Sequence, residues 1–312
     1  MEQYVWGIDL GGTSVKLGLF RHDGVLVCKW EIPTRTENHG EHILPDIAAS
    51  VEAQLEALSL SREQITGAGL GVPGAVLQER YVKPCANLDG WGGDAAQALS
   101  QLCGCPVKVA NDANAAALGE MWKGSGAGCD NLVLVTIGTG VGGGIIVGGR
   151  LLSGVHGAGG EIGHIKVRQN EKEPCGCGGH GCLEQYASAT GIVREAIRAL
   201  ARTQIPSALR GVARVTAKNV FDCAKAGDGL ALGVVRAFGE DMGRALAGVS
   251  CVCDPEVFVI GGGVSAAGQI ILDVVQAAFR RHAFPAARDT RFELASLGNE
   301  AGICGAARLV LD

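Results

Sequence analysis

Short apolar runs alternate with glycine-rich turns along this chain, and the turns separate one element from the next. Residues 5–10 are apolar but for Asp9, Gly11-Gly12-Thr13 interrupts them, and residues 14–20 are again mostly apolar around Lys16. Two β-rich runs around such a turn predict a hairpin. A strand over 25–30 follows, and residues 43–58 carry apolar side chains at helical spacing, which predicts an amphipathic helix. Residues 68–74 read as a small apolar strand broken at Val72-Pro73-Gly74, a turn signal. Asn87, Leu88 and Trp91 fall in the loop beyond it, with Trp91 either a wall for a sugar ring or a packed surface tryptophan. A short strand over 106–110 enters Asn111-Asp112-Ala113-Asn114 and then a helix over 115–122.

The second half repeats this logic. Residues 132–137 form a strand, 138–144 a Gly/Thr turn, and 145–147 a second strand, so a duplicated architecture is expected. Helices are predicted over 185–201, 230–253 (long, apolar and buried), 270–282 and 300–311 (small residues, able to pack tightly), with a short helical segment and loop over 216–228. A core strand over 257–260 ends in Gly261-Gly262-Gly263, where a flat group such as adenine or ribose can approach the backbone closely. There is no low-complexity linker, so a domain hinge is expected as a short crossing near 111–114.

Several of these junctions can carry chemistry. A turn with accessible N–H groups and a hydroxyl can cradle phosphate, and Asp9 can hold hydrated Mg2+ through water. The first turn lacks the Gly-x4-Gly-Lys-Ser/Thr spacing, so it is no P-loop; its repetition at Gly138-Thr139-Gly140 is what favours the phosphate reading of both. Strand ends in α/β sheets gather catalytic groups. Two asparagines flanking Asp112 are more than a helix cap requires, which makes Asp112 a candidate general base.

The densest cluster lies between Glu161 and Glu184. His164 is followed by Cys175, Cys177 and Cys182, with glycines between the cysteines. One imidazole and three thiolates are a tetrahedral ligand set that Zn2+ favours, and Cys-x-Cys-x4-Cys is a poor core pattern. His180, inside the loop, rivals His164 as fourth ligand; His164 is preferred because it ties two chain segments together. Four protein ligands leave no open position, so such a zinc is structural. A structural metal has no need of the bracketing acids Glu161 and Glu184, whereas a polar substrate pocket does.

Composition narrows the classes further. At 312 residues the chain has room for two domains. A net charge of −5 without a basic run leaves no electrostatic footprint for nucleic acid. Twelve cysteines and no secretory signal point to a reducing, cytoplasmic setting. Residues 132–149 are uncharged, but their seven glycines and two threonines argue for strand, turn, strand and against a membrane helix.

Taken together, the motifs resemble the ROK family (repressors, open reading frames and kinases), and most closely its glucokinase branch. The resemblance spans nearly the whole chain. It rests on Asp9-Leu-Gly-Gly-Thr13 with Lys16, Asn111-Asp112-Ala-Asn114, Gly138-Thr-Gly-x-Gly142, Glu161-x-x-His164, Cys175-x-Cys177-x4-Cys182 and Gly261-Gly-Gly263. It implies an α/β, two-lobed actin-like ATPase (ribonuclease H-like) fold with duplicated sheet/helix domains and a cleft between them that closes over the sugar. The lobes are expected at 1–113 with about 300–312, and at 114–299. By the same resemblance Asp112 is the base that deprotonates the sugar 6-hydroxyl, and Gly74, Asn87, Asn111, Asp112, Glu161, His164 and Glu184 contact the sugar. Asp9, Gly11, Gly12, Thr13, Lys16, Gly138, Thr139, Gly140, Gly261, Gly262 and Gly263 face ATP and Mg2+.

The expected activity is ATP-dependent phosphorylation of glucose, in a homodimer or homotetramer. The alternatives are another hexose (N-acetylmannosamine, N-acetylglucosamine, allose or fructose), polyphosphate as donor, or a sugar-responsive repressor. The repressor is disfavoured because the first hairpin begins too near Met1 for a preceding helix-turn-helix.

Overall fold

The computed structural model describes residues 2–311. Its strands are β1 (Tyr4–Leu10), β2 (Ser14–Arg21), β3 (Leu26–Pro33), β4 (Ile65–Val72), β5 (Val76–Leu77), β6 (Tyr81–Cys85), β7 (Trp91–Asp94), β8 (Val107–Asn111), β9 (Leu132–Ile137), β10 (Val141–Val147), β11 (Arg150–Leu151), β12 (Val257–Gly261) and β13 (Arg291–Leu294). The helices are α1 (Glu37–Gly40, a single turn), α2 (Ile43–Leu58), α3 (Ala95–Cys103), α4 (Asp112–Lys123), α5 (Glu184–Ala187), α6 (Ala189–Arg202), α7 (Ala217–Lys225), α8 (Gly229–Cys253), α9 (Gln269–His282) and α10 (Ala301–Arg308).

Two five-stranded sheets share one plan, with orders β3-β2-β1-β4-β8 and β11-β10-β9-β12-β13. In the first, β1 and β2 pair antiparallel around the Gly-Gly-Thr turn while β4 and β8 run parallel to β1. In the second, β12 runs parallel to both β9 and β13. The expected duplication is therefore present at the level of strand order.

Contacts divide the chain into two compact units, residues 1–129 with 144–160 and 296–312, and residues 130–143 with 161–295. The sequence reading placed the division after residue 113, which would open the second lobe with α4. Packing puts α4 with the first unit. The buried carboxylate of Glu120 accepts from the backbone N–H groups of Ser125, Ser296 and Leu297 at 2.9, 3.2 and 2.9 Å. Gly119 and Gly305 let α4 and α10 meet backbone to backbone, since a Cβ on either would collide with Ala301 or Ala115.

Helix α10 reaches the first sheet in the same way, at Gly7 and Gly69. Its Ala/Gly composition is a packing requirement. The other face of that sheet is covered by α2 through Ile43, Ile47, Val51 and Leu55, all buried. Trp6 meets Trp30 edge to face at 5.5 Å, and the Trp30 indole N–H donates to Ser50 Oγ at 2.6 Å. In the second unit Phe258, Phe279 and Phe292 pack with centroids 5.0 to 5.4 Å apart.

Three details differ from the sequence reading. The three-stranded sheet β5-β6-β7 was not expected, and Trp91, which begins β7, is buried in the first core and not at the surface. The single helix expected over 185–201 is broken at Ser188, whose buried hydroxyl caps α6 by accepting from Gly191 N–H at 3.0 Å. Residues 141–144 belong to β10, so the second turn is confined to 138–140. Among the described residues, no helix is long and apolar enough to cross a membrane.

Candidate active site

In the first unit the polar residues gather at strand ends. Asp9, at the end of β1, is half-buried, and burial raises its pKa while the Lys16 ammonium opposes the shift. Lys16 is its partner across the hairpin. Gly71 and Gly302 line the carboxylate; a Cβ on Gly302 would lie 2.6 Å from Asp9 Oδ2. The Gly11-Gly12-Thr13 turn closes with Gly11 N–H donating to Ser14 O at 2.9 Å, and Thr34 Oγ1 donates to Gly11 O at 2.7 Å. Gly12 faces the Asn87 carbonyl, 3.5 Å from where a Cβ would stand.

The β8–α4 junction is set by Asn111. As N-cap its Oδ1 accepts from Ala113 and Asn114 N–H at 3.0 and 3.2 Å, and its Nδ2 donates to Gly74 O at 3.2 Å. One side chain thus serves both as helix cap and as brace for the Pro73-Gly74 turn. Asp112 is the first residue of α4, exposed, with Oδ1 accepting from Ala113 N–H at 2.8 Å. Cys85, buried against Gly74, was not singled out by the sequence; burial pushes its thiol up and the Asp112 charge adds to the shift. A lone cysteine on a two-residue-periodic strand carries no signal that would have found it.

In the second unit the Gly138–Gly140 turn is gripped from behind. Ala189 N–H donates to Gly138 O and Thr190 Oγ1 to Thr139 O, at 2.8 and 2.9 Å. Glu184 presses its carboxylate against Gly140, where a Cβ would collide with it, and Oε2 accepts from Val141 N–H at 3.1 Å. Its other oxygen lies 3.7 Å from Cys175 Sγ. Gly262, with φ of 81°, brings its backbone against Ile137 so closely that no Cβ fits, while nothing lies within 4 Å of a Cβ on Gly263. The first of these two glycines is thus required for packing and the second leaves open space.

The ligand atoms of His164, Cys175, Cys177 and Cys182 all lie within 4.8 Å of one another. His180 is outside this group. Cys177 Sγ is 3.7 Å from Cys182 Sγ, and Cys175 Sγ 3.7 Å from His164 Nδ1. Sulfurs on a tetrahedral Zn2+ at about 2.3 Å stand roughly 3.8 Å apart, so the donor set fits that ion. Nε2 of His164 points the other way and lies 3.8 Å from Glu161 Oε2. Backbone bonds tighten the loop, from Cys175 N–H to Gly179 O and from Gly178 N–H to Cys175 O. Gln185 ties it to α5 by accepting from Cys182 N–H at 3.1 Å and donating to Glu173 O at 2.9 Å.

The structure thus brings Asp9, Gly11, Gly12, Thr13, Lys16, Gly74, Asn87, Asn111 and Asp112 into one unit. Gly138–Gly140, Glu161, His164, the three cysteines, Glu184 and Gly261–Gly263 fall in the other.

A strand–helix junction capped by Asn111 and followed by Asp112, glycine turns with held backbones and a Cys3His cluster, on a duplicated sheet, fit the α/β actin-like ATPase fold of sugar kinases. The chain belongs to the ROK family, whose model matches residues 5–312. It is 41% identical to a glucokinase of Halalkalibacterium halodurans, over 99% of this chain and 95% of that protein. Among solved structures it is similar to a ROK hexokinase of Thermus thermophilus (TM-score 0.82, 34% identity, 98% of this chain and 97% of that one). A ROK glucokinase of Streptomyces griseus, solved with glucose and AMPPNP, matches with TM-score 0.77 and 34% identity over 98% of each chain.

Proposed function

We propose that this protein is an ATP-dependent glucokinase that transfers the γ-phosphoryl group of ATP to the 6-hydroxyl of glucose. The observation that carries the reading is the full-length similarity to a glucokinase at 41% identity. The position of Asp112 at the start of α4 supports it.

Asp112 accepts the proton of the 6-hydroxyl as that oxygen attacks phosphorus. Phosphoryl transfer leaves little bond-making to the protein, so orientation and charge neutralisation supply most of the rate. Asn111, already fixed as cap and brace, Gly74, which it braces, and Asn87 serve the sugar. Glu161, His164 and Glu184 serve it as well, since carboxylates and imidazole match hydroxyls that both donate and accept. Backbone N–H groups of Gly12 and Thr13, with Lys16, and of Thr139 and Gly140 receive phosphate oxygens, Gly11 and Gly138 N–H closing the two turns, and Gly261–Gly263 receive the nucleoside. Mg2+, when bound, neutralises charge on the phosphates, with Asp9 orienting its waters.

His164, Cys175, Cys177 and Cys182 would hold Zn2+, which supplies a crosslink. Ligation through Nδ1 leaves His164 Nε2 as the N–H aimed away from the cluster, the geometry needed for a sugar hydroxyl. The assembly is a homodimer or homotetramer in the cytoplasm, checked by light scattering on the purified protein.

A panel of sugars in an ADP-release assay, run with ATP and with polyphosphate, tests the reading. Glucose with ATP is expected to rank first. An N-acetylated hexose ranking above glucose, or no turnover with any sugar, overturns it.

A further inference from the structure

We infer that Lys166 is a functional partner of the Cys/His cluster, its ammonium offsetting the excess negative charge of a metal-loaded Cys3His site and setting how long the metal stays. This rests on reading the cluster as a zinc site. Lys166 pairs with Cys182 as an antiparallel backbone bridge, which places the two side chains together, and its Nζ donates to Cys182 Sγ at 2.8 Å. Room for that ammonium comes from the loop: a Cβ on Gly179 would collide with Nζ, and it would stand 3.5 Å from Cys177 Sγ.

Three thiolates and a neutral imidazole on a divalent ion leave a net charge of about −1. Two acids also face the cluster, Glu184 against Cys175 and Glu161 against His164. Neighbouring arginines are engaged elsewhere, Arg168 by Asp241 and Glu195, Arg194 and Arg198 by Glu171 and Glu173. Lys166 therefore supplies the positive charge at the sulfurs. An N–H donated to a metal-bound thiolate draws on the lone pair with which that sulfur attacks electrophiles, and partners of this kind alter metal affinity by roughly 10- to 100-fold.

The test begins with the zinc content of the purified wild-type protein. A zinc-free wild type would overturn the reading of the cluster itself, apart from any role of Lys166. With zinc present, transfer to a chromophoric chelator is timed for wild type, Lys166→Met, Lys166→Arg and Gly179→Ala, and iodoacetamide labelling of the three cysteines is followed by mass spectrometry. Lys166→Met is expected to lose zinc at least ~10-fold faster and to alkylate faster. Lys166→Arg should stay near wild type, and Gly179→Ala, which pushes the ammonium aside but keeps it, should fall between them. Equal rates for Lys166→Met and wild type overturn the inference. Should Lys166→Met not fold, acetic anhydride labelling of the wild type decides: Lys166 is protected while zinc is bound and reacts once it is chelated, and equal labelling in both states overturns the proposal.

Discussion

At the end of β8 the chain passes directly from strand to helix, and Asn111 and Asp112 are positioned by the backbone bonds that begin α4. The second sheet, built on the same strand order, has no such junction carrying its polar groups. Glu161, His164 and Glu184 lie instead at the two ends of an irregular stretch, a 3-10 turn at Ile162–His164 and the start of α5. There the fixing is done by a Cys/His cluster, by Gln185 and by the hold of Glu184 on Val141 N–H. A helix N-terminus is self-supporting, because its unpaired N–H groups need a partner in any case. A loop is ordered only by what crosslinks it. The comparison teaches that duplicated sheets supply the frame, and that each unit secures its working groups with whatever the local chain offers.

That contrast can be broken from either side. The largest effect is expected from Asp112→Asn, which keeps the helix start and removes the proposed base: kcat should fall by about 10²- to 10⁴-fold with glucose binding by calorimetry largely retained. Cys182→Ser, at a fully buried cysteine of the cluster, should empty the proposed site of zinc and weaken glucose binding by at least ~10-fold, read by metal analysis and calorimetry. Unchanged glucose affinity in a zinc-free protein would show that the crosslink does not position the sugar groups.

Gly302→Ala drives a Cβ into Asp9 and should cost about 1–3 kcal/mol of stability, together with a raised KM for Mg·ATP. Asn111→Ala removes cap and brace, for about 1–2 kcal/mol in chemical denaturation.

The smallest effect is pH-linked. Glu171 is lowered from 4.5 to about 2, first by the Tyr186 hydroxyl and then by Arg198, against the opposing effect of burial. The unfolded chain binds this proton more readily than the folded one. Its contribution is therefore complete above the ordinary carboxylate range and is lost as pH falls from about 4.5 toward 2. Glu171→Gln should lower Tm at about pH 6 and converge on the parent as the acid limit is approached.

Much of the frame was legible because periodicity and turn chemistry agreed. The β1–β2 hairpin, α2 over Ile43–Leu58 and the long buried α8 appear where alternation and helical spacing put them. The small sheet β5-β6-β7 was not, since Val76–Leu77 is two residues long and β6 carries Pro84, which reads as loop. Trp91 was ambiguous because its burial depends on α1 and Gly40, far away in sequence. The Cys-x-Cys-x4-Cys spacing announced the cluster, and a ligand from outside the loop was preferred on grounds that the His164 geometry matches. What the sequence could not convey was the double engagement of Glu184 or the approach of Lys166 to Cys182. Both depend on backbone neighbours that no spacing rule records.

The locality of the Cys/His cluster bears on the order in which the second unit can assemble. All four residues of the cluster emerge from the ribosome by Cys182, when β9 has still to wait for β12: Leu132 pairs with Val257, and Val257 in turn with Arg291. Closing a short loop is fast, whereas distant parallel pairing is slow. A nascent chain supplied with metal can therefore settle this loop while its sheet is still unfinished.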